Sequence, residues 1–245
     1  MSTSRSTSPQ AASRTTQGAR ARARQEITAA IKDEARRQLA VDGAAKLSLR
    51  AVARELGMVS SALYRYFPSR DDLLTALIID AYDSMGAAAE EAEEAFRATD
   101  EQPTPARRWL AVCQAVRAWA LGHPHEYALI YGSPVPGYTA PTTTVAAASR
   151  VGVLLIALVR EAYEGKGVAL PPLSPGVRAE AERMTADLAP DLPPEVVAAL
   201  VAAWAQLYGL VGFELFGQFN RVVEDRAAFF AHAAAGLAHG VGLVR

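Results

Sequence analysis

Between Arg50 and Arg70 the chain gathers side chains that could grip a polyanion. Arg50, Arg54, Arg65 and Arg70 carry positive charge, while Ser60, Ser61, Tyr64 and Tyr66 carry hydroxyls. Guanidinium forks and hydroxyl donors are the groups that phosphate oxygens and base edges accept. The apolar residues among them keep a separate rhythm. Leu49, Val52, Ala53 and Leu56 fall at 0, +3, +4 and +7, one face of a short helix. With Leu63 and Phe67 they form a surface that pins two short helices to a third and leaves the polar side free.

Other chemistries find little support. The chain has no glycine-rich phosphate loop, no nucleophile elbow and no metal-ligand spacing. His123 and His125 stand two apart with no cysteine nearby, too few ligands for zinc, and read as loop caps. Glu90-Glu91 lies in an acidic, solvated run. Cys113, the one cysteine, sits beside Val112 and Val116 and reads as a buried, inert thiol in a reducing compartment. The expectation is a cytoplasmic protein that is not an enzyme, with no cofactor and no metal.

The charge is unevenly spread. Residues 1–70 hold 13 Lys+Arg against 5 Asp+Glu, and the rest hold 12 against 21, so a net charge of −1 hides a basic front and an acidic back. A basic front suits a nucleic-acid partner; an acidic back implies a different task.

The elements that must position these groups are helices. No strand pattern appears, and alanine-rich segments of helical period are separated by Pro/Gly clusters at 132–141, 165–172 and 190–194. The fold class is all-α. Residues 1–22 read as a disordered basic arm, Arg- and Ser-rich with no amphipathic period over residues 1–18 and no signal-peptide core; Arg5, Arg14, Arg20, Arg22 and Arg24 are candidates to touch the minor groove or phosphates, the first several more readily as disordered, weakly attracted charges. Residues 23–70 read as a helix-turn-helix module. Its first helix, from about Arg24 to Val41, carries Ile27, Ile31, Ala35 and Leu39 on one stripe and stops at Asp42-Gly43. Ser48 caps the second helix, Gly57 makes the turn, and the third runs from Ser60 or Ser61 to Phe67. Ser69, with Asp72 three residues on, caps a long fourth helix. Residues 71–245 read as a helical bundle. Its most apolar stretches, Val151–Val159 and Val196–Phe213, read as buried helices rather than membrane spans, so no membrane is expected.

The segment from Ser48 to Leu74, SLRAVARELGMVSSALYRYFPSRDDLL, resembles the signature of the tetracycline-repressor (TetR) family. The family's DNA-contact positions fall on Ser48 and Arg50, on Ser60, Ser61, Ala62, Tyr64 and Tyr66, and on Arg70, where the family usually has lysine. Arg65 joins them on the free face. A second departure is Val59, where the family often caps the recognition helix with serine or threonine; here the cap is expected to shift to Ser60. Further on, Trp204-Ala-Gln-Leu-Tyr-Gly209 and Phe213-Glu-Leu-Phe-Gly217 resemble the WHG-type C-terminal domain of a subset of these regulators, with Tyr208 at the position of the histidine.

The resemblance implies a repressing regulator that binds a palindromic double-stranded operator as a homodimer and is released by a small-molecule effector. Trp109, Trp119, Tyr127, Tyr131, Met184 and Trp204 are candidates to line the effector pocket, although aromatics at helical spacing are more often core. The last two helices are apolar nearly all round. Leu200, Trp204, Leu207, Phe216, Phe229, Phe230 and Leu237 are therefore the expected dimer face, paired as a four-helix bundle. The alternative is an all-helical small-molecule-binding or enzymatic protein whose front helices are structural.

Overall fold

The computed structural model describes residues 9–99, 103–165 and 168–243, with side chains from Gly18 onward. Among them are ten α-helices and no strand: α1 (Pro9–Asp42), α2 (Leu49–Glu55), α3 (Ser60–Leu63), α4 (Arg70–Thr99), α5 (Pro105–Gly122), α6 (Pro124–Tyr131), α7 (Val145–Gly165), α8 (Arg178–Leu188), α9 (Pro194–Leu215) and α10 (Arg226–Gly240). They fall into two compact units. One comprises the chain up to Leu77 together with Val135–Tyr138, and the other holds the remainder.

In the first unit α1 buries Ile31, Ala35 and Leu39 against α2 and the 3-10 turn Ala44–Lys46. Ile27, expected on the same stripe, is exposed at 36%, because the core ends one turn short of it. Helix α1 also starts earlier than the sequence suggested. Residues 9–22, expected as part of a disordered arm, are helical, which suits a stretch rich in Ala, Arg and Gln behind an N-terminal proline. The remainder of that arm, residues 1–8, lies outside the described residues. Gly43 ends the helix at φ +76°, in the left-handed region that favours glycine.

Local signals set the next elements. The Ser48 hydroxyl accepts from the Ala51 amide at 3.4 Å, capping α2. Gly57, at φ +64°, reverses the chain, and the Met58 amide closes onto the Ala53 carbonyl at 2.8 Å. Ser69 accepts from the Asp72 amide at 3.1 Å and donates to the Asp72 carboxylate at 2.7 Å, a compact cap for α4. Leu73, Leu74 and Leu77 on the opening turns of α4 are buried, and they carry this unit past Arg70 to Leu77. Tyr138 belongs to the same unit and shares a 2.9 Å hydrogen bond with the Thr75 hydroxyl.

The second unit is a bundle with α5 at its centre, packed against α6, α7, α9 and α10. Its core includes Met85, Trp109, Val112, Cys113, Val116, Leu155, Leu158, Leu207, Val211 and Phe230. Helices α7 and α9 are long and apolar enough to cross a membrane by length and composition, yet both pack against α5 here. Ion pairs lock these helices. Arg108 on α5 donates to Glu93 on α4 at 2.6 Å and to Glu161 on α7 at 2.7 Å. Arg150 on α7 reaches Asp83 at 3.0 Å and Glu90 at 2.6 Å, both on α4. Gly86 makes room for it: a Cβ there would lie 2.8 Å from Arg150 side-chain atoms.

Candidate DNA-binding interface

The candidate reading surface is built on α3. Its N-cap is Val59, whose carbonyl accepts from the Ala62 amide at 2.9 Å without any side-chain cap. The expected shift of the cap to Ser60 does not occur: Val59 already has the extended backbone that a cap requires, so Ser60 opens the helix. The regular helix ends at Leu63, and amide bonds back to Ala62 and Leu63 continue the turn to Phe67. Leu63 and Phe67 are buried and hold the helix down. That anchoring leaves Ser60, Ser61, Tyr64 and Arg65 exposed, with Ala62 and Tyr66 half-buried at the edges. Arg50 projects into solvent from α2. A short helix whose apolar side is pinned and whose hydroxyls and guanidinium groups face outward can donate to phosphates and to base edges.

Two arginines behave in ways that spacing did not reveal. Arg70 is only partly exposed, and its Nη2 donates to the carbonyls of Ala44 at 2.8 Å and Ala45 at 3.2 Å. It ties the start of α4 to the 3-10 turn behind α1. Arg24 lies outside the expected helix-turn-helix contacts and was expected only as one of five arginines near the N-terminus able to touch DNA. Its guanidinium lies over the Tyr66 ring at 5.0 Å, and its Nη2 donates to the Arg65 carbonyl at 3.4 Å. The only sequence signal for it was the Ala-Arg alternation at 19–24.

In the second unit the six expected pocket residues do not converge on one cavity. Trp109, Trp119 and Tyr127 are core residues. Trp119 Nε1 donates to the Ser84 hydroxyl at 2.9 Å, and the Tyr127 hydroxyl donates to the Tyr208 carbonyl at 2.8 Å. Tyr131 stacks on Tyr208 with ring centroids 4.1 Å apart, and Met184 packs half-buried against the core. Burial pushes the Tyr127 and Tyr131 hydroxyls up and takes Tyr208 to about 12, so all three stay neutral. Trp204 alone of the six lines a cavity of about 450 Å³ between α7, α8 and α9, with Val153, Ile156, Leu188, Leu200 and Val201.

The expected dimer face also divides. Leu200, Leu207, Phe230 and Leu237 are buried within their own chain, Leu200 on the side of α9 that faces α7 and α8. They are not available to a partner. Trp204, Phe216 and Phe229, at 40–47% exposure, are. His123 ends α5 and begins α6, its Nδ1 within 2.9 Å of the Trp119 carbonyl, and so serves as the loop cap expected of it. Among the described residues no group of three or more His, Cys, Asp or Glu could hold a metal ion.

Comparison with known proteins matches both units. Residues 31–77 fit the family model described as "Bacterial regulatory proteins, tetR family", and residues 109–237 fit "Tetracyclin repressor-like, C-terminal domain". The HTH-type transcriptional regulator Rv1816 of Mycobacterium tuberculosis is 41% identical over 214 residues, covering 83% of this chain and 86% of its own.

The chain belongs to the tetR family.

Mb1846 of Mycobacterium bovis, another HTH-type transcriptional regulator, matches this TetR-family chain to the same extent. Among solved structures, SCO4313 is 33% identical with a TM-score of 0.71, covering 89% of this chain and 98% of that one. RolR in complex with resorcinol, at 15% identity and a TM-score of 0.52 over 91% of this chain and 95% of that one, shares the fold alone. This TetR-family protein is a DNA-binding transcriptional regulator of all-α fold, with a helix-turn-helix ahead of a helical C-terminal domain.

Proposed function

We propose that this regulator binds a palindromic operator as a homodimer, represses from it, and leaves it when a small apolar molecule enters the second unit. The observation that carries the DNA half of this reading is the exposed row Ser60, Ser61, Tyr64 and Arg65 above the buried Leu63 and Phe67. In this assignment residues 23–70 do the DNA reading and 71–245 take effector and partner. Two-fold pairing sets two recognition helices about 34 Å apart, one turn of DNA, and an operator with mirrored half-sites follows. Trp204, Phe216 and Phe229, left exposed on the last two helices, support pairing of that face with a second copy. A protein whose ligand is chromosomal DNA works in the cytoplasm.

The cavity beside Trp204 supports the effector half. Its walls are almost wholly apolar, with Ser149 and Asp187 as the polar exceptions. An effector acts by binding one state of the dimer better than the other.

Gel-shift titration on duplex fragments from upstream of the protein's own gene, at low salt, tests the DNA reading. Retardation of one fragment by a particle of dimer mass is the expected result. No retardation of any fragment overturns it. For the effector, an apolar compound that quenches Trp204 fluorescence is added to the same titration, and unchanged operator affinity rejects the release mechanism.

A further inference from the structure

Helix α1 runs well past the body it belongs to. Its first buried residue is Ile31, yet the helix begins at Pro9, and every described side chain from Ala19 to Ile27 is exposed. At 1.5 Å per residue the stretch from Pro9 to Arg24 is about 22 Å long. From Ala19 to Ile27 it packs nothing into the core, so the core does not explain that part of the helix. Its composition is one-sided: no Asp or Glu precedes Glu26, and arginines stand at 20, 22 and 24 with alanines between them.

Its exit point is fixed. Arg24 lies over the Tyr66 ring at 5.0 Å and donates to the Arg65 carbonyl at 3.4 Å. The extension therefore leaves the unit at the C-terminal end of the recognition helix, beside two residues of the DNA face. Arg20, four residues before Arg24, lies on the same side of the helix one turn further out, and Arg22 lies on the opposite side.

Taken with the DNA-binding reading, on which this rests, we infer that the N-terminal part of α1 is a second DNA-contact element. It grips backbone phosphates beside the half-site read by α3, with Arg24 as its anchor and Arg20 and Arg22 as its phosphate ligands. Arginine suits that role because its guanidinium pairs with phosphate through two parallel hydrogen bonds. The charge pattern links arm and ligand in the other direction too. Arg20 and Arg24 repel each other at i, i+4 in the free helix, and phosphates remove that repulsion. DNA binding therefore raises the helicity of the arm.

The test uses the full chain, the double variant Arg20→Ala/Arg22→Ala and the single variant Arg24→Ala. Alanine keeps the helix, and circular dichroism checks each variant's fold. Affinity for the promoter fragment retarded by the full chain is measured against salt, alongside hydroxyl-radical footprinting. Each phosphate contact contributes about 0.9 to the slope of log K against log salt. The double variant is expected to flatten the slope by about 2 per protomer and to lose protection at the outer edges of the footprint. Arg24→Ala is expected to lose the same outer protection.

An unchanged slope and footprint in the double variant, while the full chain still binds, overturns the inference and leaves the DNA reading standing. Failure of the full chain to retard any duplex removes both. A footprint unchanged by the double variant, with lost binding to phosphatidylglycerol vesicles, would assign the arm to a lipid surface and overturn the proposal.

Discussion

Arg117 on α5 and Glu214 on α9 meet through two parallel hydrogen bonds, Nε to Oε2 at 2.7 Å and Nη2 to Oε1 at 2.6 Å. The carboxylate is buried, and the guanidinium also covers the Phe230 ring of α10 at 5.5 Å, so one side chain fastens three helices. Arg117→Met strands a buried carboxylate, which costs about 3 kcal/mol. Thermal unfolding should show the melting temperature fall by about 10 °C. The double change Arg117→Met/Glu214→Leu should recover much of that loss, since no unpaired charge remains. Equal destabilisation in single and double variants would reject the account.

The recognition helix separates affinity from preference. Tyr64→Phe removes, from an exposed side chain, the hydroxyl that the proposed function assigns to a phosphate. It should weaken binding to every duplex alike, by roughly fivefold, the worth of a single hydrogen bond of about 1 kcal/mol. Ser60→Ala and Ser61→Ala should instead change which operator variants bind best. Competition gel shifts against a panel of single-base operator changes distinguish the two patterns, and uniform losses for the serine variants would contradict the assignment.

Arg70 joins a structural duty to its expected DNA contact. Two carbonyl hydrogen bonds to Ala44 and Ala45 hold the turn between α1 and α2 against α4. Arg70→Ala should therefore destabilise the first unit by about 1.5–3 kcal/mol as well as flatten the salt slope of binding. Arg70→Lys keeps the charge but loses the fork, and should retain most of the slope while still lowering the melting temperature. A fully stable Arg70→Ala variant would show that these hydrogen bonds contribute nothing.

Cys113 should be silent in the native state. Burial pushes its thiol up to about 12, against about 8.5 for a free cysteine. At pH 8 a disulfide reagent such as dithionitrobenzoate should react only as fast as the bundle unfolds, and stoichiometrically in denaturant. Rapid labelling of the native protein would mean that α5 opens locally.

The first unit was largely legible because its signals are short-range. Ser48 caps α2, Gly57 turns the chain and Ser69 caps α4, each acting within a few residues of itself, and Leu63 and Phe67 declare a buried side at helical spacing. The TetR likeness rests on the same segment. The bundle was less legible. Val196 to Phe213 is apolar on every side, so periodicity could not say that Leu207 turns inward while Trp204 and Phe213 face outward. The candidate pocket suffered likewise: Trp109, Trp119 and Tyr127 are large and aromatic whether they line a cavity or fill a core.

By itself, the order of residues determined the all-α class, the helix-turn-helix and the side of α3 that faces outward, since each depends on neighbours along the chain. Only the tertiary structure decided the pairings across distance. It placed Arg117 on Glu214, 97 positions away, set Arg70 on backbone carbonyls rather than in solvent, and laid Arg24 on Tyr66. A charged side chain on a helix can meet any partner that folding brings within reach, and which partner arrives is a property of packing, not of spacing.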